Sequence, residues 1–169
     1  MQYTWQPAVG SDVSEIVNMA EQHFQTEIDL IFTPEPVAYS RNITHAIVNQ
    51  FYLPNSELVR IARDTAKRMV AYTWAKIEST HWSDDRMVMV QMAHVDLSIS
   101  ARDRIRLVVG MIAEWESFAR SAGVPVVCST TVRRDQGGFL RLHERLGYDV
   151  RGSFAYKRLS ATGPGLPIP

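Results

Sequence analysis

The sequence has little that would staple a fold, charge it or anchor it. Its single cysteine, Cys128, excludes an internal disulfide and fits a reducing compartment. Lys plus Arg and Asp plus Glu both number 18, so the formal net charge is zero. Bulk electrostatic attraction to nucleic acid or to an acidic membrane surface is thereby excluded, which leaves at most a local patch. The longest apolar runs fall far short of the roughly 20 residues that a membrane-crossing helix needs. Met1 to Pro7 lack a basic segment followed by an apolar run, so no secretory signal is expected. His23, His45 and His81 do not have metal-ligand spacing with one another, and no metal is expected. Internal repeats are absent, and so is low-complexity sequence before the C-terminal residues. What is present suits one soluble α/β domain, cytoplasmic by expectation: 169 residues, of which 46% are hydrophobic and 21% charged.

Residues 2–8 alternate like a first strand, and Gly10 breaks it. Ser11 or Asp12 can cap a helix to about Phe24, with Val13, Ile16, Val17 and Ala20 on one face. Residues 25–35 read as irregular, and Pro36 opens a second helix to about Phe51. Two β-rich runs, 57–63 and 68–78, flank a short polar turn and predict a hairpin. After the loop His81–Asp85, residues 87–97 predict a long strand. From Asp103 to Ala122 the apolar positions recur at helical spacing, and Gly123 with Pro125 stops the helix. Residues 124–129 read as a buried strand and 135–146 as a last helix closed by Gly147. Tyr148–Val150 and Phe154–Leu159 predict a final hairpin. Residues 160–169, with three prolines and two glycines, predict an extended tail beyond a 1–159 domain. Strands joined through the 103–122 helix should be parallel neighbours that splay apart near Leu97.

That order, together with Gly138-Phe-Leu-Arg-Leu-His-Glu-Arg-Leu-Gly-Tyr148, resembles the GNAT superfamily of N-acetyltransferases, in which a last helix ends in Leu-Gly-aromatic before a hairpin. The resemblance implies a mixed, mostly antiparallel sheet with helices on both faces, and Leu146 buried under the last helix. It also implies an acetyl-CoA site between the fourth strand and the long helix. There, backbone N–H groups at the helix start hold the pyrophosphate. By this alignment the site falls on Val95, Leu97, Arg102, Ile105 and Leu107. Ile105 and Leu107 stand where the family has small residues and are expected to obstruct the cradle, so no cofactor is expected unless the chain is active, when it would be acetyl-CoA. The plain alternative is an amphipathic helix start, with Ser100 as cap and Asp103 in the first turn.

His143 aligns with the family's tyrosine that acts as acid toward the CoA thiol; a helix histidine without such a role is the other reading. His94 and Asp96 lie two apart and share one strand face, which fits either a histidine–carboxylate base, with Gln91 also considered, or a cross-strand polar contact. Glu57 and Glu78 are expected to face solvent. Cys128 in an apolar strand reads as core, Arg133–Arg134 as a solvated pair, and Trp5, Trp74, Trp82 and Trp115 as core or interface anchors. Two functions follow. One is a GNAT-fold structural or assembly component without CoA binding, as in degenerate members among phage virion proteins, partnered by other proteins or its own copies through residues 160–169. The other is an active N-acetyltransferase.

Overall fold

The computed structural model describes residues 2–26, 33–80, 83–131 and 136–152. Runs of alternating side chains, broken by turn residues, form strands β1 (Tyr3–Pro7), β2 (Glu57–Asp64), β3 (Met69–Thr80), β4 (Ser83–Val95) and β5 (Val126–Cys128). The sheet order is β1-β2-β3-β4-β5. The first four strands are antiparallel and β5 joins β4 in parallel, as a helical crossover requires. A single 3-10 turn, Gly10–Asp12, leads into helix α1 (Val13–Thr26); helices α2 (Pro36–Tyr52), α3 (Ala101–Ser121) and α4 (Gly137–Arg145) follow.

Period-two alternation feeds two cores, one on each face of the sheet. On β2, Leu58 joins a core with Val70, Val88, Leu107, Met111 and Trp115 under α3. Its neighbour Val59 joins Ile16, Ile43, Ile61 and Tyr72 under α1 and α2. The helices therefore cover both faces, as expected from the sequence.

Both later helices stop on glycine. Gly123 (φ 65°) and Gly147 (φ 88°) take left-handed conformations that side chains resist. After each, the next N–H reaches back to the last turn: Val124 N to Ala119 O at 2.9 Å, and Tyr148 N to His143 O at 3.0 Å. The Leu-Gly-Tyr junction thus forms as read, but Leu146 does not lie beneath the helix. It is 41% exposed, so truncating it costs little of the 2–5 kcal/mol of a core leucine. Tyr148–Val150 form no strand, and their expected partner 154–159, like the tail 160–169, lies outside the described residues.

Gly110 marks a second constraint. A Cβ there would sit 2.5 Å from the indole nitrogen of Trp5, because β1 lies directly against α3. Gly110→Ala gains about 1 kcal/mol of helix propensity, but overpacking a filled core costs typically 1–3 kcal/mol. A net loss of stability is expected in a denaturant melt, and Trp5→Phe should relieve it.

Candidate active site

The site begins where β5 leaves β4. The pairing is limited to Met87–Val126, Val88–Val127 and Met89–Cys128, whereas β4 continues to Val95. The parting therefore starts after Met89, well before the expected Leu97, which lies past the end of the strand. Its cause is a β-bulge. Trp74 pairs with Met92 and Ala75 with Val90, so Gln91 is an extra residue that bends β4. The bulge also reverses the facing of the strand: Val88 and Val90 pack under α3, while beyond it Met92 falls to the α1/α2 face and Val95 to the α3 face.

On the α1/α2 face, His94 is only 3% exposed. Its ring lies 4.3 Å from that of His23 on α1 and 5.2 Å from that of Tyr72 on β3. The Nε2–H of His23 donates to the Val95 carbonyl at 2.8 Å, tying α1 to the end of β4. Tyr72 shares a 2.9 Å hydroxyl bond with Tyr39 of α2, whose phenol burial pushes far above its ordinary pKa. The sequence-expected His94–Asp96 pair does not form in this arrangement. Because β4 ends at Val95, Asp96 leaves the strand periodicity; its carboxylate meets Arg68 at 3.0 Å and accepts from the Ser98 N–H at 2.8 Å. Beside this cluster a cavity of about 300 Å³ opens between α1, α2 and Met92 of β4.

On the α3 face, the Trp115 indole donates to Thr73 Oγ1 at 2.8 Å, and that hydroxyl donates to the carbonyl of Met92 at 2.8 Å. The α3 core thus reaches the strand just beyond the bulge. His143 of α4 stacks on Trp115 at 6.4 Å and packs against Phe139 and Tyr148. It is 3% exposed rather than a surface helix histidine. Its Nδ1–H donates to the Phe139 carbonyl at 2.9 Å, leaving Nε2 with the lone pair, buried and without a partner. Burial pulls its pKa below the usual imidazole value, although the bond to Phe139 opposes this. With Nδ1–H held by the Phe139 carbonyl, Nε2 is the one ring nitrogen through which His143 could exchange a proton with a ligand.

The buried neutral imidazole has a consequence for stability. The unfolded ring takes up a proton at about pH 6.5 and the folded ring only at lower pH. Between those values the unfolded state binds more protons, so stability falls as pH falls, by up to about 1.4 kcal/mol per pH unit. Urea melts from pH 7.5 to 5 should show that decline, and His143→Phe should flatten it; an unchanged slope would place the cause elsewhere.

At the start of α3, Ser100 caps the helix by accepting from the Asp103 N–H at 3.1 Å, the plain reading of that segment. Leu107 is 0% exposed in the core and does not point toward a phosphate cradle, which corrects the expected obstruction there. Ile105 is 56% exposed. Arg102 is exposed, and Arg104 Nε is buried without a partner. Ser129, the first residue after β5, also has a buried hydroxyl without a partner. Glu57 is not solvated as expected: it accepts from the Trp74 indole at 2.6 Å and from Asn49 at 2.7 Å. Glu78 pairs with Lys76. Cys128 is half-buried, and burial pushes its thiol pKa up, away from a reactive thiolate. Among the described residues no cluster of His, Cys, Asp or Glu could hold a metal, and no helix is long and apolar enough to cross a membrane. Arg133–Arg134, His81 and Trp82 lie outside the described residues.

The sequence offers no reading of Tyr39, Tyr72 and Ser129 as site residues, and it names His23 only among histidines without metal-ligand spacing. His23 had a signal, since it continues the buried α1 face of Ile16, Met19 and Ala20. The two tyrosines come together only through packing of α2 on β3.

No protein-family model matches the chain, and no curated protein matches it. Solved structures do. A predicted acetyltransferase of Clostridium acetobutylicum, with acetyl-CoA, superposes with a TM-score of 0.68 at 13% identity, over 94% of this chain and 97% of that one. Glucosamine-6-phosphate N-acetyltransferase of Arabidopsis thaliana gives 0.68 at 12% identity, over 95% and 100%. An aminoglycoside antibiotic 6'-N-acetyltransferase of Acinetobacter baumannii gives 0.66 at 14%, over 94% and 99%. At such identities the likeness is one of fold. With its bulged β4, its parallel β5 that parts early and its helices on both faces, the chain has the GNAT, acyl-CoA N-acyltransferase fold.

Proposed function

We propose that the chain is an acetyl-CoA-dependent N-acetyltransferase. The observation that carries this reading is the early parting of β4 and β5 after Met89–Cys128, driven by the bulge at Gln91. A parallel pair that stops pairing six residues before one strand ends leaves an open strand edge where an extended ligand arm can lie between strands. The neighbouring polar atoms fit such an arm, since Ser129 Oγ and Arg104 Nε are both buried and lack partners. Acetyl-CoA would supply an activated acetyl thioester. The β4 edge beyond Met89 and Ser129 would hold its arm, and the α3 start, with Arg102 and Arg104, would face its phosphates. Ile105 in place of a glycine stands exposed at that helix start and leaves less room than the family pattern. His94, on the strand segment next to the cavity, is the candidate base for an acceptor amine.

The reading of a non-catalytic assembly component rests on the absence of small residues at Ile105 and Leu107, on His143 in place of the tyrosine, and on the tail. Leu107 lies in the core, whereas Ile105 and His143 still depart from the family pattern and the tail lies outside the described residues. Neither that role nor a phage setting gains support from these fold neighbours, which are described as acetyltransferases.

The test is turnover. Purified protein incubated with acetyl-CoA and a panel of primary amines should release free CoA thiol only when an amine is present, with a matching gain of one acetyl group in the amine by mass spectrometry. Thiol release that no amine stimulates, or none at all across the panel, would count against the enzyme.

A further inference from the structure

The cavity beside β4 has a chemical character of its own. Its volume is about 300 Å³, and Ala20 and Phe24 of α1, Tyr39 of α2 and Met92 of β4 are among the side chains that line it. Glu21 and Glu35 are also among its lining residues, with Thr33 and Asn42, and among the described residues no lysine, arginine or histidine lines it. Among the described residues neither carboxylate has an ion-pair partner, although Glu21 is half-buried. Met92 belongs to the segment of β4 beyond the parting, so the cavity and the strand opening share one stretch of chain.

Resting on the acetyl-transfer reading, we infer that the acceptor is a primary amine carried as a single cation on a compact apolar body, such as one ring or a short aliphatic chain. Three features select it. Carboxylates without protein cations complement an ammonium group and repel an anion, so a phosphorylated amine is excluded. Walls built mainly from Val17, Ala20, Phe24, Pro34, Pro36 and Met92, with Thr33 and Asn42 as the neutral polar residues, offer few partners to hydroxyl groups. A polyhydroxylated sugar amine would leave several of them buried and unpaired, each costing about tenfold in affinity. The volume is at the small end of ligand cavities, which run from about 300 to 1,000 Å³, so an oligosaccharide or a folded peptide does not fit. Aromatic and thioether walls suit an apolar ring, and an aromatic face also attracts a cation placed over it.

The experiment uses the full chain and three probes: 2-phenylethylamine, its neutral analogue 2-phenylethanol, and glucosamine. Each is titrated at pH 7 by calorimetry or by NMR shift changes. Saturable binding of the amine is expected, with the alcohol at least about tenfold weaker, the size of one charge-assisted contact. Glucosamine should bind more weakly than the aromatic amine. The double variant Glu21→Gln, Glu35→Gln should bring the amine down to the level of the alcohol while its melting temperature stays close to that of the parent. Equal affinity for amine and alcohol, amine binding unchanged in the double variant, or a preference for glucosamine would each overturn the inference. A separate titration with acetyl-CoA keeps the two claims apart. Acetyl-CoA binding without amine preference overturns the acceptor class alone. Amine preference without acetyl-CoA binding supports the cavity's ligand class and overturns the transfer reading.

Discussion

Trp115→Ala should lower the stability of the fold by about 3–5 kcal/mol, the range for deleting a buried aromatic side chain. Trp115 is fully buried at the centre of the α3 core, and its loss removes three things together. The indole volume disappears beneath the sheet, the stack with His143 is lost, and Thr73 Oγ1 loses its donor. Thr73 would still donate to Met92, so the bulge should survive while its support weakens. Trp115→Phe keeps most of the packing and loses the hydrogen bond, for about 1 kcal/mol. Urea melts would measure both, read from midpoints at constant slope. A loss under 1 kcal/mol for the alanine variant would mean that the core is not organised around this residue.

His94→Phe should lower kcat by about 10²–10⁴, the contribution of a general base, while acetyl-CoA affinity stays within a few-fold. Phenylalanine keeps a ring against His23 and Tyr72, so the core can remain filled. Asp96→Asn should have a far smaller effect on kcat, because that carboxylate serves Arg68 and the turn at Ser98. Steady-state kinetics with the best amine of the panel separates the two positions. Equal effects at both would restore the histidine–carboxylate pair that the sequence spacing suggested, and no effect at His94 would remove it from the chemistry.

Much of the architecture was legible because it rests on local rules. Helical periodicity marked α3, glycines marked the ends of α3 and α4, and a polar turn between two β-rich runs marked the β2–β3 hairpin. The candidate site was less legible, because each error came from an interaction that does not follow sequence spacing. The bulge at Gln91 moved the parting of β4 and β5 and reversed the facing of the residues after it, and no turn residue announces it. Alignment alone sets Leu107 in the phosphate cradle, but the helical face it shares with Met111 places it in the core. Leu146 was read as buried from its place in a motif, although the left-handed glycine after it needs no buried leucine to form the cap. The cavity needs α1, α2 and β4 together, and no single segment of sequence contains it.

The most direct measurement is calorimetric titration of the unmodified protein with acetyl-CoA, alongside Ser129→Val and Arg104→Leu. If acetyl-CoA lies in the opening between β4 and β5, the parent should bind one equivalent with a Kd in the range of about 1 μM to 1 mM typical of enzyme substrates. Each variant removes a buried donor and should weaken binding by about tenfold, the size of a hydrogen bond to a charged or strongly polar group. Absence of saturable heat from the parent at millimolar acetyl-CoA, with the protein shown to be folded, would contradict the account.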